Sequence, residues 1–396
     1  MNRFLRPDGE SGIAALPMRY SIHVPDADLV DLHGRLSSTR FPESQPEGRR
    51  WQYGTPVDYL KTVVEHWRDG YDWRLWETRL NRFSHHLAAV GDQTIHLLVE
   101  PGSGQHPFPL VLTHGWPGSF VEFLDMIDPL AHPERHGGRV EDAFTVIVPS
   151  LPGFGFSGAP SAPLHPRAVA GLWRSLMVET LGYPRYGAQG GDWGAAVTSW
   201  LALDHPREIG AIHLNMASLQ PWLGEGSPDL DDEERAWRDT ALRRRQGEIA
   251  YQQIQGTKPQ TLAYGLTDSP AGLAAWILEK FHGWTVGERD VDPPFSLDHL
   301  LTNVMIYWLN GINAANWMYC STVAGTSKQL AAGEHVSVPT AMLLFENDIA
   351  VPPPDAWLRR CYNLVRRRTL AGGHFAPMEN GAELVNDLRA FYRAYR

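Results

Sequence analysis

The chain has 396 residues, enough for one large domain with an insertion or for two domains, each with its own core. Its 35 Lys and Arg are interspersed among 45 Asp and Glu, and the net charge of −10 leaves no basic stripe for a nucleic-acid backbone and no polybasic membrane patch. Two cysteines, Cys320 and Cys361, exclude a disulfide framework and a thiolate metal site, so a reducing compartment is expected.

Residues 1–10 contain no apolar h-region, and no run approaches membrane-spanning length, so the expectation is a soluble, cytoplasmic protein without a membrane anchor. Residues 26–36 follow a short helical pattern. Thr55-Pro56-Val57-Asp58 reads as a capping box with proline at the first helical position, and Leu60, Val63, Val64 and Trp67 then share one helical face. The segment between, with Pro42, Pro46 and Gly48, reads as a loop that wraps its own domain or a neighbouring subunit, which leaves a homodimer open.

From Gly91 the period changes. Residues 93–100, 109–113 and 144–148 are short, apolar and β-branched, as in buried strands, with helix-like sequence over 120–127. Further strands are expected at 186–188, 211–216 and 340–345. Strands alternating with helices over this length imply an α/β domain with a largely parallel sheet. Residues 220–335 break the alternation, being helical and aromatic, and read as a cap over the mouth of the sheet. Inside it Asp231-Asp232-Glu233-Glu234 precede Arg243-Arg244-Arg245 on one helix, acids first, as suits the macrodipole of a wet face. The division is then an N-terminal helical region over 1–90, a core in two parts over 91–219 and 336–396, and a helical cap over 220–335.

Gly190-Gly191-Asp192-Trp193-Gly194 reads as strand, very tight turn, helix. In a nucleophile elbow the central residue stands clear of a strained turn, with glycines where a Cβ would collide. Here that residue is a carboxylate, and the helix starting at it favours negative charge. The plain alternative is a helix N-cap. His114-Gly115-Trp116-Pro117-Gly118-Ser119 follows a strand directly, where its turn can aim the Trp116 N–H at an anion while the Trp193 N–H aims a second. Residues 151–158 contain a formal G-x-G-x-x-G, but Pro160, Pro163 and Pro166 prevent a helix from starting and no ribose-binding acid follows. A loop shaping the pocket wall fits better than a dinucleotide site. Gly372-Gly373-His374 sets a histidine on a loosened loop, and Phe345-Glu346-Asn347-Asp348 ends an earlier strand with an acid that can orient an imidazole. Nucleophile, acid and histidine, each after a strand, follow the order of α/β-hydrolases.

With these motifs the chain resembles the microsomal-type epoxide hydrolases of the α/β-hydrolase superfamily, including their N-terminal region. Residues 114–119, 189–194, 268–281 and 301–308 carry the likeness, which covers nearly the whole length. The resemblance implies an α/β-hydrolase fold: a mostly parallel central sheet flanked by helices, a helical cap and an N-terminal helical extension. It implies Asp192 as nucleophile, His374 as base and Asp348 as its orienting acid, with Glu346 as the rival. It also implies Tyr251 and Tyr319 as the cap tyrosines that bind the epoxide oxygen; Tyr264 and Tyr307 are the substitutes. Spacing alone would choose neither Tyr251 nor Tyr319, since aromatic core packing is the more ordinary explanation there.

The activity implied is conversion of an epoxide to a vicinal diol through an Asp192 alkyl ester, with water as co-substrate and no metal or organic cofactor. Chemistry agrees with the carboxylate: an ester on Asp192 has a carbonyl that water can attack, whereas a serine ether has none. The Trp- and Phe-rich cap implies a bulky, apolar, aromatic-type epoxide, and bacterial relatives imply a natural-product setting. A haloalkane-type dehalogenase, with Trp193 cradling halide, and a non-catalytic α/β-hydrolase-fold binding protein are the rival readings.

Overall fold

The computed structural model describes residues 3–7, 17–285, 289–323 and 328–396. Half of the N-terminal decapeptide therefore lies outside the described residues. The chain begins with β1 (Leu5–Pro7) and β2 (Arg19–Ile22), then forms α1 (Asp26–Ser37), α2 (Val57–Asp69) and α3 (Trp73–Leu80) before returning as β3 (His85–Val90). The expected helices are present, and the three short strands are additions to them. The Thr55 capping box does not form. Pro56, which has no side-chain acceptor, occupies the N-cap of α2, and the Thr55 hydroxyl, one residue outside the helix, donates to the Ala275 carbonyl at 2.8 Å.

The core continues through β4 (Gln93–Glu100), β5 (Phe108–Thr113), α4 (Leu124–Ala131), β6 (Phe144–Pro149), α5 (Pro166–Arg174), β7 (Tyr186–Gly190), α6 (Asp192–Asp204) and β8 (Ile209–Leu214). Among the described residues six helices follow: α7 (Asp232–Glu248), α8 (Ala250–Thr257), α9 (Pro259–Asp268), α10 (Pro270–Gly283), α11 (Leu297–Asn310) and α12 (Asn313–Val323). The core then closes with β9 (Val336–Phe345), α13 (Asp355–Cys361), β10 (Tyr362–Leu370), α14 (Ala376–Glu379) and α15 (Gly381–Tyr392). α7 starts on a capping box, with Asp231 accepting from the Glu234 amide and Glu234 from the Asp231 amide.

Among the described residues the strands form one sheet in the order β1-β2-β3-β4-β6-β5-β7-β8-β9-β10. β1 to β4 and the β4/β6 pair are antiparallel, while β6, β5, β7, β8, β9 and β10 run parallel. Every residue of β6 and β8 is buried, as expected of strands covered by helices on both faces. In such a sheet ligands bind beyond the carboxyl ends of the parallel strands, and residues 114–119, 190–194, 346–348 and 372–374 lie at such ends.

The N-terminal region wraps its own chain. Trp51 stacks on His282 with ring centroids 4.0 Å apart, the Tyr71 hydroxyl meets Thr302 at 3.0 Å, and Arg50 pairs with Asp292. These contacts fasten the region to the cap helices. Residues 151–158 do not line the pocket as expected. Phe154 packs edge-on against His114 at 5.4 Å and Tyr307 at 6.2 Å, and Gly153 lies against the Ala314 backbone of α12. Its two phenylalanines carry the loop into the core behind the site.

Candidate active site

β7 ends at Gly190, and after a single intervening residue α6 begins at Asp192. The turn is so tight that a Cβ on Gly190 would lie 2.2 Å from the Gly194 carbonyl oxygen, and one on Gly194 would lie 1.9 Å from that of Thr113. Asp192 itself has φ +48°, the one positive φ at a non-glycine position among the described residues. Such a conformation costs a non-glycine residue about 1–2 kcal/mol, and it lifts the carboxylate off the sheet edge.

The loop after β5 brings Trp116 to the same point. Its backbone N–H donates to Asp192 Oδ1 at 2.9 Å. The Trp193 N–H belongs to the first turn of α6, where amides have no intrahelical acceptor. His114 pins this loop from behind: Nε2 accepts from the Leu151 amide at 3.2 Å, which leaves Nδ1 to donate to the Gly115 carbonyl at 3.0 Å. Burial pushes His114 down to about 4, so it is a neutral structural imidazole.

Beyond β9 and β10 the other two candidates meet. His374 Nδ1 lies 2.8 Å from Asp348 Oδ1, and His374 Nε2 lies 3.6 Å from Asp192 Oδ2. Asp348 is 2% exposed, and its Oδ1 also accepts from the Ala350 amide at 3.0 Å. Glu346 is solvent-exposed, so the rival acid is not at the histidine. Burial works against the charge on His374, but Asp348 and Asp192 outweigh it and hold the imidazole well above its ordinary range. Burial likewise opposes the Asp192 charge, while His374, the Trp116 amide and Lys328 together bring its carboxyl below the ordinary value. Each member of the pair thus favours the charged form of the other.

Tyr251 on α8 and Tyr319 on α12 hang over this centre from the cap. Trp116 stacks on Tyr251 with centroids 4.9 Å apart and meets Tyr319 edge-on at 5.8 Å; Tyr319 also meets Trp193 at 4.9 Å. Burial raises both phenols above their ordinary range, with the Asp192 charge adding to it, so both stay protonated. The substitutes are elsewhere: Tyr264 is 71% exposed, and the Tyr307 hydroxyl donates to the Gly118 carbonyl at 2.7 Å. A cavity of about 1090 Å³ opens above, lined by Asp192, His374, Tyr251 and Tyr319 together with Trp193, Trp237 and Trp357.

A family model described as "Epoxide hydrolase N terminus" matches residues 17–123, and one described as "alpha/beta hydrolase fold" matches residues 109–380. A homologue from Stigmatella aurantiaca is 39% identical over 95% of this chain and 85% of its own, and epoxide hydrolase 1 of Sus scrofa is 35% identical over 94% and 87%. The structure of Aspergillus niger epoxide hydrolase superposes with a TM-score of 0.83 at 28% identity, covering 99% of this chain and 100% of that one. The chain belongs to the epoxide hydrolase family.

Membership makes the dehalogenase and the non-catalytic binding protein unnecessary as readings of the pocket. Among the described residues of this epoxide hydrolase no helix is long and apolar enough to cross a membrane. Two ionisable residues near the centre were not singled out by sequence reasoning. Glu122 lines a small cavity of about 10 Å³ shared with Asp192, His374 and Asn215, about the least volume that holds one water. Its carboxylate is pressed so closely on Gly118 that a Cβ there would overlap it. Burial pushes Glu122 up to about 8, with His374 opposing and Asp192 adding. The available signal was an acid inside the apolar run Phe120-Val121-Glu122-Phe123. Lys328 places its ammonium 5.0 Å from the centroid of the Trp193 ring, in a stretch with no motif to mark it.

Proposed function

We propose that this epoxide hydrolase works through a covalent ester on Asp192 and acts on epoxides with a bulky apolar, aromatic-type body. The observation that carries the reading is the division of labour at one carboxylate: Oδ1 faces the Trp116 amide at 2.9 Å and Oδ2 faces His374 at 3.6 Å. Oδ2 is then free to attack a ring carbon. The C–O bond breaks, its electron pair stays on oxygen, and a phenolic proton from Tyr251 or Tyr319 neutralises the developing alkoxide.

Esterification removes the negative charge of Asp192. One of the two charges that raise His374 is lost with it, and the imidazole becomes a better source of free base at the stage that needs one. The phenolate left by the first step regains its proton at the expense of the His374 imidazolium, and neutral His374, held by Asp348, then takes a proton from water as the new hydroxide adds to Cγ of Asp192. The oxyanion on Oδ1 is met by the Trp116 and Trp193 amides. Collapse breaks the bond between Cγ and the alkyl oxygen, which takes the proton from the imidazolium and leaves as the diol. The small cavity at Glu122 suits the attacking water, being bounded by both Asp192 and His374.

Asp192→Asn and Asp192→Ala test this scheme. Both are expected to fold, by circular dichroism and thermal unfolding, and to form neither diol nor protein adduct with styrene oxide. Wild-type rates of diol formation in the Ala variant would eliminate the ester route.

A further inference from the structure

The wall of the large cavity carries Lys328, Arg235, Arg238 and Arg245 against Asp239, Glu248 and Asp192 itself, in a chain whose net charge is −10. Part of this charge is already matched: Arg235 pairs with Asp232 at 2.7 Å, and Glu248 with Lys280 at 3.5 Å. Lys328 is different. It is half-buried, and no carboxylate of the described residues pairs with its ammonium. Burial of a cation without a partner is unfavourable, and proteins normally pair it or leave it in water.

The main chain at Lys328 is held against the wall of the cavity. Its carbonyl accepts from the Gln220 amide at 2.7 Å, and the Leu330 amide donates to the Gln220 carbonyl at 2.9 Å. The ammonium lies over Trp193, the residue after the nucleophile. Asp192 is within electrostatic reach but already has the Trp116 amide and His374, and it is not in ion-pair contact with the lysine. Further out, Arg245 donates to Gln252 at 3.0 Å, and Arg238 packs over Trp357. The arrangement is a cavity with tryptophans and charged side chains on its wall, one cation near its reactive end and more further out.

We propose that Lys328 is an anion site of this pocket, and that the preferred substrate is an epoxide carrying a carboxylate on its apolar body. This rests on the reading of the cavity as the epoxide site. The carboxylate accepts from the Lys328 ammonium while the body lies along the tryptophans, so the charge fixes which end of the molecule meets Asp192.

The test compares 7,8-epoxyoctanoate with its methyl ester, which share one oxirane and one chain, in the wild-type enzyme, Lys328→Gln and Lys328→Arg. The wild-type kcat/KM is expected to favour the acid by about tenfold, the low end of what a hydrogen bond to a charged group contributes. Lys328→Gln is expected to bring the ratio close to one, and Lys328→Arg to preserve most of it. A wild-type ratio of one or less, or an unchanged ratio in Lys328→Gln, overturns the proposal. If Lys328→Gln fails to fold, inhibition of the wild-type enzyme decides: octanoate is expected to inhibit about tenfold more strongly than octan-1-ol, and equal inhibition overturns the anion site. Diol from the ester without preference for the acid removes Lys328 alone. No diol from styrene oxide or from either octanoate removes the epoxide reading and the anion site with it.

Discussion

Asp348→Asn should separate the two halves of the reaction. The Asp348 carboxylate touches His374 Nδ1 at 2.8 Å and contacts neither Asp192 nor the two phenols. Its loss leaves Asp192 Oδ1 on the Trp116 amide and Tyr251 and Tyr319 packed on Trp116, so ester formation is expected to slow by less than about tenfold. Hydrolysis of the ester depends on the oriented imidazole. General-base assistance contributes about 10²–10⁴ in rate, or about 2.7–5.4 kcal/mol at 1.36 kcal/mol per tenfold, and most of it is expected to disappear. Glu346 cannot substitute, since it is exposed to solvent. The enzyme should therefore accumulate as ester. Stopped-flow tryptophan fluorescence can follow it, because Trp116, Trp193 and Trp284 make ring contacts with Tyr251, Tyr319 or His374. Intact-protein mass spectrometry should show one added epoxide per chain. Equal slowing of both phases, or a variant as fast as wild type, would refute the division of roles.

Other perturbations follow from the same geometry. Tyr251→Phe and Tyr319→Phe should each slow ester formation by roughly 10²-fold and the double variant by more, read as the burst rate in single turnover; a double variant with a wild-type burst would remove the phenols from the chemistry. Gly194→Ala would put a Cβ 1.9 Å from the Thr113 carbonyl oxygen, a backbone clash that no rotamer relieves. A loss of at least about 1–3 kcal/mol in urea unfolding is expected, and an unchanged midpoint would contradict the tight turn. Glu122, pushed up to about 8, keeps a proton in the fold that the unfolded chain releases above about 4.3. Its contribution to stability therefore falls as pH rises from about 4.3 to 8 and is level beyond. Thermal unfolding of Glu122→Gln should gain on wild type between pH 5 and pH 8, whereas a constant difference would show that Glu122 is ionised throughout.

The parts of the site that were legible in the sequence are those set by backbone. Asp192, Asp348 and His374 each follow a strand, and the glycines around them mark places where main chain approaches main chain. Such constraints leave a local trace. Tyr251 and Tyr319 leave none, because α8 and α12 bring them together over Trp116 by tertiary packing. Only resemblance to the family could select them. Glu122 was hidden by a helical pattern whose apolar neighbours it interrupts once, and Lys328 by a segment without periodicity. In the fold, β1, β2 and β3 escaped because strands of 3, 4 and 6 residues give little alternation to read, and β3 opens with two buried histidines. The Thr55 cap failed for a different reason. Pro56 is the N-cap, so Thr55 lies one residue outside the helix, where its hydroxyl donates to the Ala275 carbonyl.

The central claim is the ester on Asp192, and single turnover in ¹⁸O-water tests it most directly. With enzyme in excess over styrene oxide, the account predicts that the first diol carries unlabelled oxygen and that the label appears in the peptide containing Asp192. A diol labelled in the first turnover, with an unlabelled peptide, would mean that water attacks the epoxide directly and that Asp192 is not the nucleophile.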